Sequence, residues 1–348
     1  MGDFEIIDLF AGPGGLDMGA HSLGIPVTGI EFDAHACATR RAFAKTVGDE
    51  GPYMRTEEAD VRDCHPEKYG SANVLTAGPP CQTFSVAGTG TGRKNLDMVL
   101  GFLHRMGDGE DVTAELENLE DPRTGLVLEP LKWVLARHDS NPFDVIVMEQ
   151  VPAVLPVWHA VARVLRDRGY AAEAGVLHTE EYGVPQTRKR ALLIARREGP
   201  VTFPALTHQR YKKGHAPVED HPEGRLPWAS MDSVLKRGAF TVVSNYGTGG
   251  DPKKRGRRTQ ADPAFTVTGK IGRNRLVSPD GRDLGRFTAS EAGLLQTFPR
   301  DYPWQGIDND VQQQIGNAIP PLLAAHILTA ALGLPSRPAG QVLGYDGF

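Results

Sequence analysis

Cysteine is scarce: the 348 residues hold three, Cys37, Cys64 and Cys81, with no Cys-x-x-Cys pair and no Cys/His cluster at zinc spacing. That excludes a disulfide framework or structural zinc site, and it leads us to expect a reduced, intracellular, metal-free protein. No apolar run approaches the roughly 18 residues that mark a membrane span, so no membrane role is expected. The start, Met1-Gly2-Asp3-Phe4-Glu5, lacks the basic and apolar regions of a signal peptide and fits a cytoplasmic protein. Positive charge is not in excess either. The net charge of −5 speaks against nucleic-acid binding by the chain as a whole. Distribution matters more than the sum. Lys253, Lys254, Arg255, Arg257, Arg258, Lys270, Arg273 and Arg275 crowd one short window, opposed only by Asp262. Read alone, that window is a phosphate-gripping surface or a solvated basic loop.

The order along the chain points to an α/β protein. Residues 4–10 read as a buried strand running into the turn Ala11-Gly12-Pro13-Gly14-Gly15, with a helix from about Leu16 to Leu23. A strand at 27–32 and a helix at 34–46 follow, then strands ending near Asp60, Ala77 and Met148, and one more at 191–195. Such alternation predicts a parallel, doubly wound sheet. From about 196 to 286 helical periodicity fades and Gly, Pro, Arg and Thr accumulate, with extended pieces at 240–243 and 264–268. This region reads as a smaller, irregular inserted domain. Thr288 and Glu291 then have capping-box spacing, and a last helix is expected from about Pro321 to Leu332.

The segment Ala77-Gly78-Pro79-Pro80-Cys81-Gln82-Thr83-Phe84-Ser85 mounts a single thiol behind two prolines. Each proline fixes its own φ and restricts the residue before it, so a side chain launched from the pair has little freedom of direction. That suits a nucleophile, although a rigid turn with a buried Cys has the same composition. In an open α/β sheet, ligands sit beyond the carboxyl ends of the strands. The Gly-rich turn, Glu31, Asp60, Cys81 and Glu149 all fall at such ends. The glycines do not fit G-x-G-x-x-G, which favours a nucleoside cofactor without a pyrophosphate. S-adenosylmethionine fits, its carboxylate meeting N–H groups at the helix start and its ribose meeting Glu31.

Taken together, the blocks 8–15, 78–82, 149–151, 186–190, 288–299 and 314–320 resemble, in order, those of the DNA (cytosine-5) methyltransferase family, and they span nearly the whole chain. The resemblance implies a Rossmann-like S-adenosylmethionine-dependent sheet, with residues 1–195 and 286–335 catalytic, 196–285 a target-recognition domain and 336–348 a tail. It implies that Cys81 attacks C6 of a cytosine flipped out of double-stranded DNA, which makes C5 nucleophilic towards the methyl group. Glu149 would protonate or hydrogen-bond N3. Arg190 would bind O2, and Arg188 would support phosphate or Glu149. Phe10, Ala11, Gly12, Gly14, Gly15, Leu16, Glu31, Phe32, Asp60, Val61, Pro80 and Asn317 would contact the cofactor, whose product is S-adenosylhomocysteine. Gln82, Ser85, Arg93 and the basic window would contact DNA, with 83–93 as a closing loop.

One departure stands out. The family usually has Asn after the catalytic Glu, and here it is Gln150. The short stretch before the first block predicts a compact prokaryotic or phage modification enzyme, monomeric, acting alone or beside a cognate restriction endonuclease. The rivals are the tRNA-methylating branch of the family, a nicotinamide-dependent oxidoreductase and a non-catalytic DNA-binding regulator. The first carries a Cys-Phe-Thr tripeptide absent here. The second needs a pyrophosphate fingerprint, and the third leaves Cys81 without a task.

Overall fold

The computed structural model describes residues 4–48, 54–80, 96–245, 251–337 and 342–343. Its centre is a seven-stranded sheet of β1 (Ile6–Leu9), β2 (Val27–Glu31), β3 (Met54–Glu58), β4 (Val74–Ala77), β5 (Val145–Gln150), β6 (Ala171–His178) and β7 (Lys189–Arg196). The order is β3-β2-β1-β4-β5-β7-β6. Alternation along β1 supplies two cores. Ile6 packs with Val27, Val74 and Val145 on one face, while Ile7 and Leu9 pack with Leu75, Ile146 and Met148 on the other. Helices α1 (Gly15–Ser22) and α2 (Ala34–Thr46) follow the first two strands, close to where their periodicity predicts them. On the face of Ile7 lie α3 (Leu96–Gly107), α5 (Glu129–Arg137) and α6 (Leu155–Asp167); the short α4 spans Thr113–Glu117.

Two expectations need correction. The sheet is not wholly parallel, because β7 runs antiparallel to both β5 and β6. Strand β6 also escaped the sequence pattern. It lies at the sheet edge with alternating exposure, and its Ala, Glu and Gly residues are weak strand formers.

The region after β7 carries the helix α7 (Met231–Leu235) and a three-stranded antiparallel sheet, β10-β8-β9, of β8 (Thr241–Val243), β9 (Arg257–Thr259) and β10 (Arg275–Val277). Its Phe240, Val242 and Leu276 join the same apolar cluster as Ile6 and Val27. Residues 264–268 do not form the expected strand. Ala264 makes a single bridge to Gln186, its N–H donating to the Pro185 carbonyl at 2.8 Å. The Thr288–Glu291 capping box opens α8 (Ala289–Leu295) as predicted. In the 314–320 block, Gln314–Asn317 is the last turn of α9 (Asp308–Asn317). A three-residue turn then leads to α10 (Pro321–Ala331). Among the described residues, no helix is long and apolar enough to cross a membrane.

Candidate active site

Strand order reverses between β1 and β4, so a crevice opens beyond the carboxyl ends of these two strands. The turn after β1 enters this crevice with Phe10, Gly12 and Gly14 all at positive φ (63°, 58° and 97°). Glycine tolerates that conformation, whereas Phe10 adopts it at a cost of about 1–3 kcal/mol. Gly15 must lack a side chain: a Cβ there would sit 2.1 Å from the Ile319 carbonyl oxygen. The start of α1 therefore abuts the turn behind Asn317, bringing together two segments far apart in sequence. Ala11 and Leu16 are buried in this turn.

Glu31 ends β2 and ties the turn down. Its Oε2 accepts the Gly12 N–H at 2.7 Å, and Oε1 accepts those of Phe32 (2.9 Å) and Asp33 (2.8 Å). Burial pushes its pKa up, and the same backbone donors pull it down. Three of about four acceptor positions are filled, which leaves one for a ligand hydroxyl. Beside it the Phe32 ring is 76% exposed. Asp60 lies beyond β3, where hydrogen bonds from Arg62 hold its carboxyl below the usual range. Val61 is buried in the apolar cluster on the Ile7 face of the sheet, and Phe10 packs against that cluster. An exposed aromatic face, a carboxylate with spare capacity and a Gly-rich helix start suit the base, ribose and carboxylate of an adenosyl amino acid.

Across the crevice β4 leads into Gly78-Pro79-Pro80, and β5 ends in Glu149 and Gln150. The Gln150 side chain donates from Nε2 to the Pro79 carbonyl at 2.6 Å and accepts its neighbour Val151 N–H at 2.5 Å. The methylene that exceeds Asn is taken up within this fold-back, and Gln150 holds the proline pair directly. A Cβ at Gly78 would lie 3.8 Å from Glu149 Oε2. Glu149 Oε1 stands 2.6 Å from Arg190 Nε. That approach is not aligned as a hydrogen bond, so the oxygen has no hydrogen-bond partner among the described residues.

The reversal of β7 creates this pair. Glu149 registers with Leu192 and Gln150 with Ala191, so residues at the start of β7 meet the end of β5. In a parallel β7, Arg190 would lie on the opposite edge, about 20 Å away at 3.3 Å per residue.

Arg188 does not take its expected place. Fully buried, it donates from Nη1 to the Val267 carbonyl (2.7 Å) and from Nη2 to those of Gly316 (2.9 Å) and Ala318 (3.1 Å), rather than facing phosphate or Glu149. Arg188 stands just before the first residue of β7, and its bonds to these carbonyls hold it in the junction of three segments.

The basic window also divides. Lys253, Lys254, Arg257, Lys270 and Arg273 are exposed, and Arg255 and Arg275 are half-buried. Arg258 turns inward: Nη1 donates to Thr187 Oγ1 and to the Pro263 and Ala264 carbonyls, with the guanidinium 4.8 Å from the Tyr211 ring and 4.3 Å from Phe265. It is a strut rather than a DNA contact. Asn317 is exposed and accepts from Gln313 Nε2 at 2.8 Å. Pro80 is half-buried at the end of its described segment; Cys81, Gln82, Ser85 and Arg93 lie outside the described residues, as does the 83–93 loop.

Sequence reasoning missed two buried polar groups. Beneath the Gly-rich turn, Asp17 pairs bidentately with Arg40, and Asp8 accepts from Thr76 Oγ1 at 2.7 Å. Between the entry to β7 and the end of α8, Gln186 and Gln296 pair through their amides. A Gln inside the apolar run Leu294-Leu295-Gln296 was the available signal.

The chain has relatives among known proteins. The family model for C-5 cytosine-specific DNA methylases matches residues 4–102, 112–238 and 231–332. The chain is 29% identical over 349 residues to the type II methyltransferase M1.HphI of Haemophilus parahaemolyticus, covering 94% of this chain and 86% of that one. It is 28% identical to M.HgiDI of Herpetosiphon aurantiacus, over 97% of both. Its fold matches the Entamoeba histolytica methyltransferase EhMeth (TM-score 0.61, 16% identity, 96% and 99% covered) and the S. pombe Dnmt2 methyltransferase (0.60, 17%, 95% and 98%). With the family model matched from Phe4 to Leu332 save one short gap, the chain belongs to the C-5 cytosine-specific DNA methylases.

Proposed function

We propose that this DNA cytosine-5 methyltransferase is a restriction-modification or orphan modification enzyme, in which Cys81 is the nucleophile and Glu149 and Arg190 handle the cytosine ring. The observation that carries the reading is the Glu149–Arg190 pair, 2.6 Å apart at the crevice and beside the Gly78–Pro80 segment that leads to Cys81. Thiolate attack of Cys81 on C6 of a flipped cytosine pushes electrons onto the ring. Glu149, on the N3 side, supplies a proton or hydrogen bond there, and Arg190 both orients Glu149 and donates to O2. C5 then carries the electron pair that takes the methyl group. Loss of the C5 proton and departure of Cys81 leave 5-methylcytosine. S-adenosyl-L-methionine supplies the methyl group, and Glu31, Phe32, Asp60, the Gly-rich turn and Asn317 hold and orient it.

Residues 196–285 are the target-recognition domain of this reading, and 1–195 with 286–335 the catalytic one. Exposed Lys253, Lys254, Arg257, Lys270 and Arg273 grip phosphate. The enzyme acts as a cytoplasmic monomer on the nucleoid. The chain is similar to type II methyltransferases such as M1.HphI and M.HgiDI, and a cognate endonuclease cutting the same site would follow from that likeness.

The test is transfer of a labelled methyl group to duplex DNA and to tRNA by the wild type and by Cys81→Ala. Labelled DNA from the wild type and none from the variant are expected. Labelling of tRNA alone, or of DNA by Cys81→Ala, overturns the reading. Bisulfite sequencing of DNA from expressing cells then reads the target site.

A further inference from the structure

We propose that Gln296 is a positioning residue for methyl transfer, acting through its amide pair with Gln186 to set the strand that carries Arg190. The proposal rests on the reading of Glu149 and Arg190 as the ring-handling pair. Both glutamines are fully buried. Gln186 Nε2 donates to the Leu295 carbonyl (2.8 Å) and to Gln296 Oε1 (2.7 Å), while its Oε1 accepts the Val267 N–H (2.9 Å). Gln296 Nε2 in turn donates to the Ile315 carbonyl (2.5 Å) and the Ala318 carbonyl (3.3 Å). Turning either amide over would set oxygen against oxygen, so each orientation is dictated by its surroundings.

Four segments meet here that are far apart in sequence. They are the residues leading into β7, the 264–268 stretch of the basic region, the end of α8, and the last turn of α9 with the residues that follow it. Arg188 adds bonds to the second and fourth of these, at Val267, Gly316 and Ala318. Close packing leaves no slack: a Cβ on Gly316 would lie 2.0 Å from the Gly269 nitrogen.

An apolar junction would hold these segments together without fixing their mutual register. Directional bonds fix it, and a fully satisfied buried network specifies one arrangement at the cost of desolvating its members. Arg190 lies four residues from Gln186, and its distance to Glu149 inherits that register. A misplacement of about 1 Å at reacting groups is enough to cost on the order of 100-fold in rate.

The experiment separates positioning from stability. Replacing both glutamines by Met leaves neither amide unpaired, but the Val267 N–H and the Leu295 and Ile315 carbonyls lose these partners, each at a cost in stability, so stability is read beside rate. The double variant Gln186→Met/Gln296→Met and the single variant Gln296→Asn are compared with wild type. Single-turnover methyl transfer to duplex DNA is measured beside thermal unfolding and the dissociation constants for S-adenosylhomocysteine and DNA. In whichever variant unfolds cooperatively, the rate should fall on the order of 10- to 100-fold while both dissociation constants stay within a few-fold of wild type. A folded variant that transfers methyl within twofold of wild type overturns the proposal, as does a rate loss that tracks weakened binding alone. A wild type that does not methylate duplex DNA overturns instead the functional reading beneath it.

Discussion

Replacing Asp8 by Asn should make the protein more stable, and increasingly so as the pH rises. Asp8 is fully buried in β1, one layer below the Gly-rich turn. Burial first, and then the nearby charge of Asp17, push its pKa from 3.8 up to about 8, against the opposing pull of the Thr76 hydrogen bond and Arg40. Arg40 cannot offset both acids, because it is already paired bidentately with Asp17. The folded state thus binds this proton more tightly than the unfolded chain does. The stability Asp8 contributes is fully present below about pH 4 and is lost as pH rises to about 8. At about 1.4 kcal/mol per tenfold change in proton affinity, the ceiling is about 6 kcal/mol, and the span from pH 5 to pH 8 is about 4 kcal/mol. Asn keeps an oxygen for Thr76 Oγ1 and removes the titration. Urea unfolding of the wild type and Asp8→Asn at unit steps from pH 5 to pH 9 reads the difference directly. The advantage of the variant should grow by roughly 1 kcal/mol per unit up to pH 8 and then level off. Parallel curves across that range would refute the account of Asp8 as a protonated buried acid.

Two further outcomes follow from packing and from the division of the basic window. A Cβ at Gly19 would lie 2.8 Å from both the Ala324 Cβ and the Ala325 nitrogen, so Gly19→Ala should push α1 off α10 and cost about 1–3 kcal/mol in denaturant unfolding. An unchanged midpoint would show that the two helices separate freely. Arg258→Ala should lower stability by about 1–3 kcal/mol, since it strips donors from buried carbonyls. Lys253→Ala with Lys254→Ala should leave stability within about 0.5 kcal/mol but flatten the salt dependence of DNA binding by roughly 0.9 for each phosphate no longer neutralised. The reverse pattern, with Arg258 governing the salt slope, would return Arg258 to the DNA surface.

Much of the architecture was legible because local chemistry governs it. The first two strand–helix units, the Thr288–Glu291 capping box and the last helix lie within a residue or two of their expected bounds. In each, hydrophobic periodicity or capping agrees with the fold. Strand β6 was not legible, because an edge strand owes its conformation to pairing with β7 rather than to its own Ala, Glu and Gly. The 264–268 stretch has the β-branched and aromatic composition of a strand, yet Gln186 and Thr187 claim its backbone groups.

By itself the sequence determined the inventory of the site: a Pro-Pro-mounted thiol, carboxylates at strand ends, a Gly-rich turn and a pair of arginines one residue apart. These depend on residue type and near-neighbour spacing, which a linear pattern can carry. Only the tertiary structure decided which arginine meets Glu149. Strand direction is set by pairing partners distant in sequence, and the reversal of β7 brings Arg190 to Glu149, while carbonyls of Val267, Gly316 and Ala318 claim Arg188 just ahead of the strand. The same long-range packing turned Arg258 from an expected phosphate grip into a strut, and joined Gln186 to Gln296 across more than a hundred residues. Side-chain direction and buried polar pairing arise from the whole fold closing at once.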